Sequence, residues 1–168
     1  MTEEDSGRVW LFGDNIDTDV LAPGQYMRGS IQDLAAHCLE AVDPTFASNV
    51  RSGDVIIAGR NFGVGSSREQ AAQALKVLGV RAVVAQSFAG IFYRNAINLG
   101  LPVFTGDAAG IARQGETVDI NTKTGLLKLV EQNRTVQCDP LPEFLLAMIN
   151  DGGLVPHLAK RFARERRA

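Results

Sequence analysis

Short runs of apolar residues alternate with longer segments of helical periodicity over the first two thirds of the chain. Four short apolar runs bounded by turn residues predict strands, at 8–13, 54–59, 80–86 and 101–104. Three segments with apolar residues every three to four positions predict helices, at 30–40, 67–79 and 88–100. The strand, helix and strand between 80 and 104 indicate that part of the sheet is parallel.

The pattern changes after residue 104. Residues 116–138 alternate apolar and polar positions, with turn signals at Asn121 and Gly125, which is typical of an antiparallel hairpin. Two helical segments, 141–153 and 154–167, close the chain. Because no repeat or linker interrupts this order, we predict a single α/β domain with a mixed sheet over residues 1–168, in which 1–7 form a flexible tail.

Composition narrows the class of protein. A chain of 168 residues with 45% hydrophobic and 21% charged residues fits one domain with its own core. The formal net charge of −2 disfavours a nucleic-acid surface, and the basic residues of 160–167 lie where a last helix turn favours cations. No apolar run approaches the roughly 18 residues of a membrane span, and the acidic start has no signal-peptide core. We therefore expect a cytoplasmic protein that binds neither membranes nor nucleic acid.

Metal-ligating residues are few and scattered. Cys38 and Cys138 are the only cysteines, and neither has the neighbours that a zinc site or an iron–sulfur cluster requires. His37 reads as a helix-face residue, and His157 as a residue at the head of the last helix. We expect no metal site on this chain.

The segment GRNFGVGSSREQA, residues 59–71, is the strongest candidate for chemistry. A phosphate-binding loop would need lysine before Ser66, where the chain has Gly65, and a dinucleotide fingerprint would need glycine at Arg68. The Gly-x-Ser-x-Gly pattern of a nucleophile elbow is also missing. What remains is a glycine-rich approach to a helix predicted to begin at Ser66 or Ser67, whose amino end attracts anions.

Arg68 adds a forked donor that suits a carboxylate. The alternative is a structural one, in which Ser66 caps the helix and Glu69 completes a capping box. That alternative leaves a cation unexplained in the first helical turn, where a bound anion would explain it.

A second polar segment, 13–30, contains Asp14, Asp17 and Asp19. Their spacing does not match a calcium loop, and aspartates that bond to their own turn are the simpler interpretation. The stretch 26–29 follows as a loop with an exposed arginine, Arg28.

Taken together, DNIDTD (14–19), GSSRE (65–69) and SFAGIFYRNAINLGLP (87–102) resemble the small subunit of isopropylmalate isomerase. That subunit corresponds to the swivelling domain of the aconitase superfamily, and the resemblance extends over nearly the whole chain. It implies a two-subunit iron–sulfur hydro-lyase that isomerises a hydroxy-polycarboxylate by dehydration and rehydration, and that works only with its large subunit. The [4Fe–4S] cluster would be held by cysteines of that large subunit.

The resemblance also implies residue roles. Ser66 would be the catalytic base, acting as an alkoxide, and Asp19 matches the acidic residue near that base. Ser67 would donate a hydrogen bond to the substrate, Arg68 would bind a substrate carboxylate, and Arg28 matches a second arginine that contacts substrate.

Three positions depart from the usual family sequence: Val64, Gln70 and Gly90. Gly90 stands where the family usually has a charged residue, and this departure leaves the identity of the substrate undecided. Conversion of 2-isopropylmalate to 3-isopropylmalate is the first expectation, with a homoaconitase or a methylated-malate dehydratase as the alternative. A non-catalytic carboxylate-binding or regulatory module is the competing class, and the intact set from Ser66 to Arg68 argues against it.

Overall fold

Strands and helices follow one another in the order that the pattern predicts. The computed structural model, which describes residues 6–168, contains seven strands: β1 (Gly7–Leu11), β2 (Val55–Ala58), β3 (Ala82–Ala85), β4 (Val103–Thr105), β5 (Thr117–Asn121), β6 (Leu126–Leu129) and β7 (Arg134–Gln137). The helices of the described chain are α1 (Thr18–Leu21), α2 (Ile31–Ala35), α3 (Phe46–Asn49), α4 (Glu69–Val77), α5 (Gly90–Asn98), α6 (Glu143–Asn150) and α7 (Leu154–Glu165). A short 3₁₀ turn covers Gly24–Tyr26.

All seven strands form one sheet in the order β4-β3-β2-β1-β5-β6-β7. Strands β4, β3, β2 and β1 pair in parallel, whereas β1 with β5, β5 with β6 and β6 with β7 pair antiparallel. The predicted α/β class with a mixed sheet is confirmed.

The parallel half carries the core. Every residue of β2 and β3 is buried, as expected for parallel strands covered on both faces. Helix α4 connects β2 to β3, and α5 connects β3 to β4, which confirms the parallel unit predicted for 80–104. Fully buried aromatic rings, among them Phe46, Phe62 and Phe92, fill the space beside the sheet.

Two elements differ from the sequence prediction. The helix expected at 30–40 stops at Ala35. A continued helix would need the Leu39 amide to donate to the Ala35 carbonyl, but that amide donates to the Val20 carbonyl at 2.9 Å, and Leu39 has a positive φ of 62°. The expected hairpin is a three-stranded meander: the predicted turn from Asn121 to Gly125 is present, and a second turn ending at Asn133 adds β7.

The chain start was predicted as a flexible tail over 1–7. Residues 1–5 lie outside the described residues, and Gly7 already begins β1, where it pairs with Val118 of β5. Within residues 6–168, no helix has both the length and the apolar character to cross a membrane.

A buried carboxylate closes the amino end of the parallel strands. Asp54, 4% exposed, stands directly before β2. Its Oδ1 accepts from the Arg8 amide, and its Oδ2 accepts from the Arg51 amide and from Trp10 Nε1, each at 2.9 Å. Three donors on one carboxylate hold β1, β2 and the preceding loop together.

Candidate active site

The loops that leave the carboxyl ends of β1, β2 and β3 lie against one another. The Gly63 amide donates to the Ile16 carbonyl at 2.7 Å, and the Thr18 amide donates to the Val64 carbonyl at 2.9 Å. On the other side, the Phe62 amide donates to the Ser87 carbonyl at 3.0 Å. In parallel sheets this edge is where ligands bind, so the two motif segments meet at the expected end of the sheet.

Polar side chains strengthen the contact between the first two loops. Asp14 Oδ1 accepts from the Arg60 amide at 2.7 Å, and Asn61 Nδ2 donates to Asn15 Oδ1 at 3.0 Å. Both asparagines have a φ of 57°, a conformation that asparagine tolerates better than most residues. Asp14 therefore bonds across to the second loop and not to its own turn.

Asp17 does serve its own turn. Its Oδ1 accepts from the Val20 amide at 2.8 Å and so caps helix α1. The cap places Asp19 in the first turn of α1, where its side chain is 69% exposed and forms an ion pair with Arg68 Nη1. The same Nη1 donates to the Ala22 carbonyl at 3.0 Å.

Helix α4 begins at Glu69, later than predicted. Arg68 takes the N-cap position without a side-chain hydrogen bond, and its amide donates to the Ser66 carbonyl at 2.8 Å. The expectation that Ser66 or Ser67 starts the helix was therefore wrong, and so was the capping-box alternative. The physical reason is the tight turn between Ser66 and Arg68, which keeps both serines ahead of the helix.

Ser66 and Ser67 are exposed in this turn. Among the described residues, neither their hydroxyls nor their amide groups donate to a protein acceptor. They stand one and two residues before Arg68, at the amino end of a helix whose first-turn amides lack intrahelical partners. The arrangement offers hydroxyls, amides and a guanidinium to one anion.

The glycines of this segment serve protein packing. Gly63 has a φ of +81°, and a Cβ on it would lie 2.2 Å from Phe92 Cγ. Gly65 has a φ of +114°, and a Cβ there would lie 3.0 Å from Thr18 Oγ1. That hydroxyl is buried and has no hydrogen-bond partner in the described part of the chain. The glycines thus let the loop approach other residues of the protein.

Arg28 stands apart from the serine turn. It is exposed at the end of the loop 23–29, and no other described residue pairs with it. The loop nevertheless starts at the Ala22 carbonyl that Arg68 contacts. The structure therefore brings Asp19 and Arg68 together next to Ser66 and Ser67, and leaves Arg28 free on a neighbouring loop.

The departures from the family sequence sit around this turn. Val64 is 38% exposed just before Gly65. Gln70 is partly buried in the first turn of α4, and Gly90 is the exposed first residue of α5 with open space beside its Cα.

The thiols offer little to a metal. Burial raises the pKa of Cys38, and burial together with Asp139 raises the pKa of Cys138 to about 11, so both stay protonated near neutral pH. Within residues 6–168 no three residues of the types His, Cys, Asp and Glu lie close enough together to hold a metal ion.

Comparison with known proteins gives a consistent result. Residues 18–105 match the Aconitase C-terminal domain. A methanogen homoaconitase small subunit from Methanothermobacter thermautotrophicus is 51% identical over 155 residues, which cover 92% of this chain and 90% of that protein. A 3-isopropylmalate dehydratase small subunit from Thermotoga maritima is 47% identical over 156 residues, 92% of this chain and 94% of that one.

A solved structure is similar throughout. The crystal structure of 3-isopropylmalate dehydratase from Methanocaldococcus jannaschii superposes with a TM-score of 0.92 at 41% identity. The match covers 97% of this chain and 98% of the other.

Proposed function

The chain belongs to the family of the aconitase C-terminal domain, and on that premise we propose that it is the small subunit of a hydro-lyase of the 3-isopropylmalate dehydratase type. The enzyme isomerises a hydroxy-polycarboxylate by dehydration and rehydration, and it works in the cytoplasm. One observation carries the catalytic part of the proposal: Ser66 and Ser67 are exposed beside the Asp19–Arg68 pair, and their hydroxyls have no hydrogen-bond partner within residues 6–168.

Ser66 is the proposed base. It removes a proton from the carbon next to a substrate carboxylate, and as a hydroxyl it then holds that proton for return. A serine alkoxide is costly near neutral pH, and Arg68 with the amides at the start of α4 lowers that cost. Asp19 keeps Arg68 oriented, because it pairs with one nitrogen of the guanidinium and leaves the others for substrate.

Ser67 and Arg68 bind the carboxylate in this proposal. A guanidinium presents parallel donors that match the two carboxylate oxygens, and Arg68 is a quarter exposed at the edge of the turn. Its bond to the Ala22 carbonyl adds a second fixed contact, so the group is held before substrate arrives.

The departing hydroxyl needs a Lewis acid, which in this family is an iron–sulfur cluster. The donor set of the described residues does not fit such a cluster, because the two thiols are buried and separated and no other group of ligands is close. We assign the [4Fe–4S] cluster to the large subunit and derive no step through it.

Reconstitution tests the assignment. The isolated chain should show no turnover, and mixing it anaerobically with the cluster-loaded large subunit should create isomerase activity on 2-isopropylmalate. Turnover by the chain alone, or none after mixing with any cluster-bearing hydratase subunit, would contradict the split active site.

A homoaconitase is the second candidate for the substrate. Arg28 favours it, since a free guanidinium fits a third carboxylate better than an alkyl group, and a homoaconitase subunit is among the relatives. Arg28→Ala should then lower kcat/KM for a tricarboxylate substrate by about tenfold or more and spare an alkyl-malate. Arg134→Ala, an exposed arginine on β7, is the matched control. An equal loss on both substrates would mean that Arg28 binds a carboxylate they share.

A further inference from the structure

The loop 23–29, which carries Arg28, contains several local hydrogen bonds, and Tyr26 and Met27 also pack against the hydrophobic core. The Tyr26 amide donates to Pro23 at 3.0 Å, Met27 to Gly24 at 3.3 Å, and Gly29 to Tyr26 at 3.2 Å. No residue of its 3₁₀ turn is buried. Local bonds of this kind shape a loop but do not attach it to the domain, so a precise position for Arg28 requires another anchor.

One ring contact supplies part of this anchor. The rings of Tyr26 and His37 stack with centroids 3.6 Å apart and planes 4° from parallel. His37 lies on the turn that follows α2, and α2 packs on α4. The stack therefore joins the loop to the turn after α2, and α2 packs on the helix that Arg68 precedes.

The histidine ring is itself fixed. His37 Nδ1 lies 2.7 Å from Glu40 Oε2, three residues later. A carboxylate at that distance sets which ring nitrogen carries a proton and holds the ring plane. A leucine or valine would fill the same space but could not hold the tyrosine ring in one plane.

Core packing accounts for only part of this arrangement, through the contacts of Tyr26 and Met27 with the core. His37 is 34% exposed and Glu40 is 35% exposed, and Tyr26 is only partly buried. An exposed, ordered stack at the base of a loop is what a positioning contact requires.

We propose that His37 is a positioning residue: its stack on Tyr26 holds the loop 23–29 and thereby sets where Arg28 meets the variable end of the substrate. The proposal rests on the function proposed above for its substrate part. Its structural part, the anchoring of the loop, is testable without turnover.

The chain offers a matched control. His157 Nδ1 lies 2.7 Å from Asp151 Oδ2, and its side chain is 33% exposed, so pairing and exposure nearly equal those of His37. It lies on α7, and no aromatic ring of the described residues stacks on it. His157→Leu therefore removes a similar pair away from the loop.

Limited trypsin digestion of the full chain measures how firmly the loop is held, because trypsin can cleave after Arg28. His37→Leu and Tyr26→Leu should speed cleavage after Arg28 by about two- to tenfold, the range of one lost ring pair. His37→Phe, which keeps a ring, should stay near the wild type, and so should His157→Leu. Cleavage at other sites should not change. An unchanged rate at Arg28 in both leucine variants would overturn the proposal, and Tyr26→Leu decides if His37→Leu does not fold.

Kinetic constants of the reconstituted enzyme test whether the position of the loop affects substrate binding. His37→Leu should raise KM for the substrate that Arg28 selects while kcat changes little, and His37→Phe should restore KM. Faster cleavage with unchanged selectivity would also overturn the proposal, because the anchor would then not act on substrate. If the reconstituted wild-type enzyme shows no turnover at all, the proposed function is refuted. The trypsin result on the loop would still hold.

Discussion

Asp54 and Asp19 lie at opposite ends of the same parallel strands and have opposite surroundings. Asp54, at the amino end, is 4% exposed and accepts from three donors of the protein. Asp19, at the carboxyl end, is 69% exposed, and Arg68 is its one ion-pair partner among the described residues. Both are acidic residues next to buried strands, so the difference lies in what the surrounding backbone leaves unsatisfied.

At the amino end every oxygen of Asp54 is used by the fold, and the carboxylate stabilises the join between β1 and β2. At the carboxyl end the exposed hydroxyls and amides of Ser66 and Ser67 donate to no described residue, so water solvates them until a ligand binds. The residues at the amino end of the parallel strands therefore stabilise the fold, whereas those at the carboxyl end are available to bind an anion.

Ser66→Ala should produce the largest effect and tests the prepared end. Without the proposed base, kcat of the reconstituted enzyme should fall by about 10³-fold or more. Stability should change by less than about 0.5 kcal/mol, since Ser66 is exposed and does not cap α4.

Ser52→Ala is the control for that prediction, because Ser52 is an exposed serine in the turn before β2, at the other end. It should leave turnover unchanged. If Ser66→Ala keeps most of the activity, the serine turn is not the catalytic end of this protein.

Asp54→Ala should have the second largest effect, on stability. It leaves two partly buried amides and the buried Trp10 indole without an acceptor, and hydrogen bonds to a charged group contribute about 1.5–3 kcal/mol each. We expect urea denaturation to show a loss of at least about 3 kcal/mol. Asp54→Asn keeps one oxygen acceptor and should lose less. An Asp54→Ala variant as stable as the wild type would remove the contrast between the two ends.

The two ends were not equally predictable from the sequence. The parallel strands follow from short apolar runs, and the hairpin with its turn from Asn121 to Gly125 follows from alternation and from residues that favour turns. These patterns record burial directly. The structural role of Asp54 could not be predicted from the sequence, because an aspartate before a strand is also typical of an ordinary turn. Its role depends on Trp10, which the fold brings close from a different part of the chain.

At the other end, residue types were easier to predict than geometry. The motif around Ser66 pointed to an anion site, but the start of α4 was misplaced, since serine before an apolar helix usually reads as a cap. The Asp19–Arg68 pair and the Tyr26–His37 stack join residues without any shared local pattern. Such contacts depend on how loops fold over a sheet edge.

Asp19→Ala should have a smaller effect than either preceding change, and it should appear in activity. Arg68 would keep its bond to Ala22 but lose its anionic partner, so kcat/KM should fall by about tenfold or somewhat more. The pair is exposed, and removing it should cost less than about 1 kcal/mol of stability. A stability loss as large as that of Asp54→Ala, with activity kept, would make Asp19 a second structural carboxylate.

The smallest effect is expected at a third aspartate, which has protein partners but no proposed chemistry. The pKa of Asp151 is held below its ordinary value, first by the hydrogen bond from Lys160 Nζ at 2.8 Å and then by the one from His157. A depressed carboxyl pKa means that its stabilisation is present above the unfolded pKa and is lost as pH falls through the folded one.

Lys160→Met removes the larger cause of the lowered Asp151 pKa, so Tm at neutral pH should drop by about one or two degrees. The difference from the wild type should shrink as pH falls through the depressed folded pKa of Asp151, where the carboxyl becomes protonated. A difference that persists there would mean that Lys160 stabilises α7 through its aliphatic stem. Turnover should be unaffected at every pH tested, because Asp151 and Lys160 have no proposed role in catalysis. Like Asp54, they contribute to stability alone.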